Sequence, residues 1–227
     1  MPMKVTILFS YFSHNNTVLG AVLCLAVTPD SKFIVSGSQD CSIKIFDLEK
    51  RRMVHHFKEV HTDAVLTLAI STNGQYIVSG SRDKSMKLID IDRTKQTINH
   101  WKDLHLDAIT SVAFSPDDRL VVSASQDKSI KITDLVSMDT LHHFKDAHQD
   151  IITSVLVTPD AKYIVSASKD KNIKIHSVDK HQIIHRFKNI HEGYSSFNYF
   201  TYVQIQSPRL QWITEENIFS LLLKIKR

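Results

Sequence analysis

Serine, histidine and aspartate side chains recur in this sequence at a nearly constant spacing. The histidines His61, His105, His148 and His191 follow one another at intervals of 44, 43 and 43 residues. The same period separates the aspartates Asp40, Asp83, Asp127 and Asp170, and the serines Ser36, Ser79, Ser123 and Ser166. A serine, a histidine and a carboxylate brought together could perform nucleophilic catalysis. An active site is singular, whereas this set occurs in several copies, so the pattern predicts a folding device and no catalytic residue.

Other chemistry finds little support in the sequence. There are 13 histidines, 2 cysteines and 5 glycines, without a Cys-x-x-Cys, His-Glu-x-x-His or glycine-rich phosphate motif. Six histidines lie in segments such as MVHHFK (53–58) near the end of each copy, where we expect them to face solvent, and His176 belongs to neither group. We therefore expect no metal, no cofactor, no small-molecule substrate and no enzymatic activity.

Four ungapped segments define the repeat that carries these residues. They begin at Ser31, Gly74, Asp118 and Ala161, which are 43, 44 and 43 residues apart. Each copy divides into four strand-like pieces rich in β-branched and aromatic residues, bounded by Asn, Gly, Asp or Pro. In the second copy these pieces are VLTLAIS (65–71), YIVSGS (76–81), SMKLIDI (85–91) and TINHWKD (97–103). The period and the pieces predict small antiparallel sheets, each with two apolar faces that only neighbouring copies can cover.

The repeat resembles the WD-repeat β-propeller family, which is named for a Trp-Asp pair that ends the third strand of each unit. The matching pairs here are Phe46-Asp47, Ile89-Asp90, Thr133-Asp134 and His176-Ser177, so the Asp is kept three times and the Trp never. The resemblance implies an all-β propeller of four-stranded antiparallel blades, with four clear units and a degenerate fifth. It also implies that the repeated His, Ser and Asp form a structural network in each blade. The serine two places further on competes for the Ser position, and each network is expected to lack the Trp member.

The repeat also sets the expected organisation of the chain. Residues 21–191 hold the four units, at about 21–60, 61–104, 105–147 and 148–190, and residues 192–227 would form the degenerate fifth unit or an irregular tail. Residues 1–20 would supply an outer strand that closes the ring. The apolar runs at 5–12 and 17–28 are each shorter than the roughly 18 residues that a membrane span needs, so we expect no span.

In this family, partners usually bind the face formed by the turns between the second and third strands and by the loops into each first strand. Side chains that vary at this face beside the fixed Asp are the candidate binding residues. They are Gln39, Arg82, Lys84, Gln126, Lys128, Lys169 and Lys171 in the turns, with Asp63, Asp107 and Asp150 in the loops. Because most of the turn residues are basic, the expected partner is a protein or peptide, and an acidic or phosphorylated one in particular.

Two other functions remain open at this stage. The chain could be the propeller of a longer protein such as a kinase or a ubiquitin-ligase substrate receptor. The basic turns could instead bind nucleic acid or anionic lipid, although a net charge of +4 supports this weakly. A repeated aromatic-lysine pair could stack on bases, but we favour an anchor for the outermost strand; the pairs are Phe57-Lys58, Trp101-Lys102, Phe144-Lys145 and Phe187-Lys188. Two cysteines form no disulfide framework, which favours a cytoplasmic location, with the nucleus as the alternative.

Overall fold

A computed structural model describes residues 20–189 and the backbone of residues 203 and 204. The described chain is all-β: four sheets, here called blades 1 to 4, each contain four consecutive antiparallel strands. Blade 1 consists of β1 (Val22–Val27), β2 (Phe33–Ser38), β3 (Ile43–Asp47) and β4 (Arg52–Phe57). Blade 2 consists of β5 (Val65–Ile70), β6 (Tyr76–Ser81), β7 (Met86–Asp90) and β8 (Thr97–Trp101). Blade 3 consists of β9 (Ile109–Phe114), β10 (Leu120–Ser125), β11 (Ile130–Asp134) and β12 (Thr140–Phe144). Blade 4 consists of β13 (Ile152–Val157), β14 (Tyr163–Ser168), β15 (Ile173–Ser177) and β16 (Ile183–Phe187).

The predicted all-β repeat of four-stranded blades is thus confirmed. A further short strand, β17 (Val203–Gln204), lies parallel to β1 at the free edge of blade 1. The expected closing strand in residues 1–20 and the rest of the expected fifth unit in 192–227 lie outside the described residues. Within the part of the chain that is described, no helix is long and apolar enough to cross a membrane.

The turn between the second and third strands has the same construction in every blade. In blade 2, the Ser81 hydroxyl accepts a hydrogen bond from the Asp83 N–H, and Asp83 Oδ1 accepts one from the Ser85 N–H, at 3.0 and 2.9 Å. Such local side-chain bonds favour a turn over a continued strand. The residue after each aspartate adopts a positive φ of 65 to 70°; these residues are Cys41, Lys84, Lys128 and Lys171. In blades 1 to 3, the carbonyl of this residue accepts a hydrogen bond from a histidine N–H of the following blade.

The blades pack against one another face to face, because each sheet has two apolar faces that only a neighbouring sheet can cover. We call the face of a blade that contacts the preceding blade its near face, and the opposite face its far face. At the contact of blades 1 and 2, Val35 and Ile43 on the far face of blade 1 meet Leu68 and Ile77 on the near face of blade 2. The next two contacts repeat this arrangement with Val78 and Val122 as far-face residues. The core is therefore a series of interblade layers, and no blade buries its own surface alone.

In blades 2 and 3, one residue of the first strand and the residue opposite it on the second strand line these layers, and a larger side chain on one strand accompanies a smaller one on the other. Gly80 lies opposite Thr67 in blade 2, whereas Ala124 lies opposite Ser111 in blade 3. A Cβ added at Gly80 would lie 2.5 Å from Ile109 Cγ2 and 2.8 Å from Thr67 Cγ2. Glycine thus accompanies the side chain with the extra methyl group, and alanine accompanies the smaller serine. Blades 1 and 4 follow the same rule, with Cys24 opposite Gly37 and Ser154 opposite Ala167.

We expect Gly80→Ala to destabilise the protein by about 2 kcal/mol, because it overpacks a filled layer. Adding Thr67→Ser should restore part of the loss, since it removes one of the two methyl groups in the way. Urea unfolding of the two single variants and the double variant forms a double-mutant cycle that measures this coupling. A cycle with strictly additive effects would show that the Thr67 methyl group is not part of the clash.

Candidate functional site

The structure assembles the predicted Ser–His–Asp sets in blades 2, 3 and 4. In blade 2, His61 Nδ1 lies 3.0 Å from Asp83 Oδ2, and its Nε2 lies 2.8 Å from Ser79 Oγ. Blade 3 repeats the pattern with His105, which lies 3.2 Å from Asp127 Oδ2 and 2.8 Å from Ser123 Oγ. In blade 4 the corresponding distances from His148 are 2.9 Å to Asp170 and 2.7 Å to Ser166.

The first serine of each pair is the member of the network, and the competing serine has another partner. The Ser81 hydroxyl donates to the carbonyl of Asp63 in the loop before β5, at 3.0 Å, and does not contact His61. Because an ionised carboxylate only accepts hydrogen bonds, His61 donates from Nδ1 to Asp83, and its Nε2 pairs with the Ser79 hydroxyl. The network thus joins the loop, the second strand and the turn of one blade.

Each lead histidine also connects its blade to the preceding one through the backbone. The His61 N–H donates to the carbonyl of Cys41, and the His105 N–H donates to that of Lys84, both at 3.4 Å. These carbonyls belong to the residues with positive φ in the turn of the preceding blade. The left-handed turn and the histidine network therefore act as one device that fixes each blade on its neighbour.

Blade 1 lacks this network within the described residues. Its turn carboxylate, Asp40, keeps the bonds from the Ser42 N–H and hydroxyl that blades 2 and 3 also have, and it lies 3.5 Å from Lys44 Nζ. Ser36 is buried at the predicted place on β2. His191, the last histidine of the series, lies outside the described residues.

The three complete networks hold their carboxylates ionised. Burial alone would raise the pKa of Asp83, but hydrogen bonds from His61 and Ser85 outweigh burial and bring the pKa well below its ordinary value. Asp127 follows the same balance, with His105 and Ser129 as the donors that lower its pKa. The stability that a depressed carboxyl pKa contributes is fully present above the unfolded value near 4 and is lost progressively as the pH falls from there towards the lower pKa of the folded state.

The network of blade 4 extends to a fourth residue, His176, at the position that matches the family Trp. His176 is fully buried, and its Nε2 lies 2.9 Å from the oxygen of Ser166, which also binds His148. The serine has one proton, which it donates to His148, so His176 Nε2 must be the donor to the serine oxygen. The expectation that every network lacks its fourth member is therefore wrong for blade 4, because an imidazole N–H replaces the indole N–H there.

His176 is held neutral in this position. Burial, followed by the charges of His148 and Lys174, lowers its pKa to about 4. Its other ring nitrogen, Nδ1, is buried and has no hydrogen-bond partner among the described residues. Sequence reasoning left His176 outside every group; its place in the Trp column opposite a network serine was the available signal.

In blade 3 the Trp position is occupied by Thr133, which is fully buried. Its hydroxyl has no hydrogen-bond partner in the described part of the chain. An unpaired buried hydroxyl is unfavourable, so we expect Thr133→Val to stabilise the protein by about 1 kcal/mol. A matched control is Thr110→Val, which removes a hydroxyl that donates to the Ile152 carbonyl and should destabilise by a similar amount. The midpoints of urea unfolding test both expectations; a loss of stability in Thr133→Val would contradict the first.

Burial separates these networks from any substrate. The side chains of His61, His105 and His148 are 0% exposed, and Ser79, Ser123 and Ser166 are 0% exposed as well. Among residues 20–189, no group of three or more His, Cys, Asp or Glu side chains is arranged to hold a metal ion. The arrangement supports the interpretation of the sets as folding devices.

The histidines of the outermost strands are less exposed than expected. His55, His100 and His142 are only partly exposed, and His55 and His142 pack edge-on against Phe57 and Phe144. The expected solvent-facing position holds for His185, which is exposed. The aromatic residues of the same strands are half-buried or buried, and Trp101 donates its indole N–H to the Met138 carbonyl of blade 3. These contacts support the interpretation of the aromatic-lysine pairs as anchors.

The predicted binding residues lie together at one side of the blades, which we call the turn face. Most are exposed there: Gln39, Arg82, Lys84, Lys128, Lys169, Lys171, Asp107 and Asp150, with Gln126 and Asp63 partly exposed. The face is less basic than the turns alone indicate, because Arg82 lies 3.7 Å from Asp63. Asp63, Asp107 and Asp150 each also accept a hydrogen bond from the N–H of the following residue.

Leu106 is the residue at the turn face that sequence reasoning missed. It is 84% exposed, the highest value among the exposed large hydrophobic side chains of the described chain. Its N–H donates to Asp127 Oδ2 at 2.8 Å, and the adjacent His105 N–H donates to the Lys84 carbonyl. Leu106 is thereby held between the turns that carry Lys84 and Lys128. The corresponding residues Thr62 and Gln149 are polar, so the repeat comparison could have singled out Leu106.

The stacked blades and their buried networks define a β-propeller repeat protein. The family described as WD40, the WD domain or G-beta repeat, matches residues 6–47, 52–90, 96–134 and 138–177, which is more than half of the chain. The chain belongs to the WD40 repeat family.

Two solved structures show the same fold. The structure of U3-55K and the crystal structure of the RRP9 WD40 repeats each match with a TM-score of 0.68 and 26% sequence identity over 77% of this chain. The match covers 53% and 52% of those chains, so this chain spans about half their length. A comparison with curated proteins finds no match.

Proposed function

We propose that this WD40 chain is a non-catalytic scaffold whose turn face binds a short acidic peptide segment of a protein partner. The single observation that carries the proposal is Leu106, a large apolar side chain that the network holds in solvent between two lysine-bearing turns. Aliphatic and aromatic side chains of a peptide would cover Leu106. Carboxylate or phosphate groups beside them would reach Lys84 and Lys128.

The backbone at this place is rigid, which favours binding. Asp127 accepts hydrogen bonds from the Leu106 N–H, from Ser129 and from His105, so the loop and the turn cannot move apart independently. A surface that is ordered before binding loses less conformational entropy when a ligand binds. Lys84 and Lys128 are themselves the residues with positive φ in their turns, at 69 and 70°, and both are exposed.

A peptide selection tests this proposal with a matched control on the opposite side of the blades. A random-peptide display library is selected on the wild-type chain, and the affinity of the enriched peptide is measured by fluorescence polarisation. Leu106→Asp and Lys128→Glu should each weaken binding about tenfold or more. Val136→Asp, at a side chain 81% exposed in the turn between β11 and β12, should leave binding unchanged.

Two outcomes would contradict the proposal. Enriched peptides without acidic residues would contradict the expected charge of the partner. Peptides whose affinity falls as much with Val136→Asp as with Leu106→Asp would show that they do not bind at the turn face. Salt-sensitive retention of RNA or of phosphatidylserine vesicles without any enriched peptide would favour the nucleic-acid or lipid function.

A further inference from the structure

The near face of blade 1 is an apolar surface that no other described blade covers. Val22 is 42% exposed, whereas its counterparts Val65, Ile109 and Ile152 in the other blades are all 0% exposed. Ile34 is partly exposed, although the residues at the same place in blades 2 to 4 are fully buried. Leu25 and Val27 complete the surface as partly exposed residues.

The far face of blade 4 is exposed in the same way. Leu156 is 51% exposed, whereas its counterparts Ala26, Ala69 and Ala113 are at most 2% exposed. Val165 and Ile173 are partly exposed, while the equivalent residues of blades 1 to 3 are at most 1% exposed. The four described blades thus form an arc with, at each end, an apolar face that no described blade covers.

The internal contacts show what fits such faces. In each of the three interblade layers, a far face bearing a central Val, namely Val35, Val78 or Val122, packs on a near face bearing Ile or Val from the next blade. The far face of blade 4 has the same residue type at this place, Val165, and the near face of blade 1 has the matching Ile34. The two end faces therefore continue an interface that the chain already forms three times.

We propose that two copies of this chain join head to tail, with the near face of blade 1 of each copy on the far face of blade 4 of the other. The same contact forms twice and closes a two-fold symmetric ring, as a head-to-tail interface does when its rotation is completed. Two arcs of four blades make eight, which lies within the range of known propellers. Burial of four apolar faces per ring, two in each contact, supplies the driving force.

The oligomeric state of the full chain tests this proposal. Light scattering after size-exclusion chromatography should give twice the chain mass of 26.0 kDa, and the mass should not increase further with concentration. A mass equal to one chain would overturn the proposal and would favour another segment of the same chain as the cover. A mass that keeps growing with concentration would overturn ring closure.

Paired surface variants test the geometry. Val22→Asp and Leu156→Asp each place a charge in both contacts of the ring, so each should raise the dimer dissociation constant about tenfold or more. Both side chains are exposed in the single chain, so each variant should keep the wild-type circular dichroism. Val136→Asp, away from both end faces, should leave the dimer intact.

A mixture of Val22→Asp and Leu156→Asp chains separates head-to-tail pairing from other arrangements. A mixed ring places both aspartates in one contact and leaves the other contact intact, so the mixture should dimerise better than either variant alone. If only one of the two variants disrupts the dimer, or if the mixture gains nothing, the head-to-tail arrangement is wrong.

Discussion

His105→Ala should destabilise the protein by about 3–5 kcal/mol, because it removes two buried hydrogen bonds, one of them to an ionised carboxylate, together with a packed ring. The variant leaves the Ser123 hydroxyl and the Asp127 carboxylate without their shared partner, in a region where His105 is only 2% exposed. It also leaves a cavity at the contact between blades 2 and 3. Urea unfolding followed by circular dichroism near neutral pH measures the loss.

His185→Ala is the matched control for this variant. His185 lies in the outermost strand of blade 4 and is exposed, so its removal should change the stability by less than about 0.5 kcal/mol. Equal unfolding midpoints for the two variants would contradict a structural role for the network. A large loss in both would show that the outermost strand contributes more than its exposure indicates.

The stability of the protein should fall as the pH decreases from about 6.5 to about 4, and His176 should cause much of the fall. The folded-state pKa of His176 is lowered to about 4 by burial and by the charges of His148 and Lys174, while an unfolded histidine has a pKa of about 6.5. Between these two pH values, His176 is protonated in the unfolded chain and neutral in the folded chain, so a lower pH favours unfolding. This difference in the pKa of His176 corresponds to about 3 kcal/mol of stability, which is fully present above the unfolded pKa and is lost as the pH falls to the folded pKa.

His176→Phe isolates this contribution, because phenylalanine keeps the ring against Phe144 and has no titrating group. Unfolding free energies measured across this pH range should decline less steeply for His176→Phe than for the wild type. His148, whose pKa is also lowered, mainly by burial, leaves a residual slope in both. His185→Phe, the same substitution at an exposed site outside the networks, is the matched control. Parallel curves for wild type and His176→Phe would show that His176 does not cause the pH dependence.

The fold could be predicted from the sequence alone because each copy repeats both the apolar residues of the strands and the Ser, His and Asp residues of the network. The strands begin and end within a residue or two of the predicted pieces, since the Asp-centred turns recur in every copy. The choice between Ser79 and Ser81 could not be made in the same way. Both side chains lie on one face of β6, and only the folded loop shows that Ser81 reaches the Asp63 carbonyl.

Two features of the sites depend on contacts that local patterns do not contain. His176 becomes a donor because the pairing of β14 with β15 brings it near Ser166. Leu106 is exposed because its backbone is bound to the turn at Asp127, which directs the side chain outwards. A hydrophobic residue in a loop is otherwise as compatible with burial as with exposure.

The matched pairs of blades 2 and 3 limit how such a chain can evolve. The pair Thr67–Gly80 and the pair Ser111–Ala124 fill similar volumes. The extra methyl group lies on the first strand in one pair and on the second strand in the other. After duplication of an ancestral unit, a change at either position would have been tolerated only with a companion change across the strand. Recombination that exchanged the second strands of these units would place alanine opposite threonine. Copies that look interchangeable in their sequence pattern therefore differ in the second strand that each first strand accepts: the strand with Thr67 accepts glycine and not alanine.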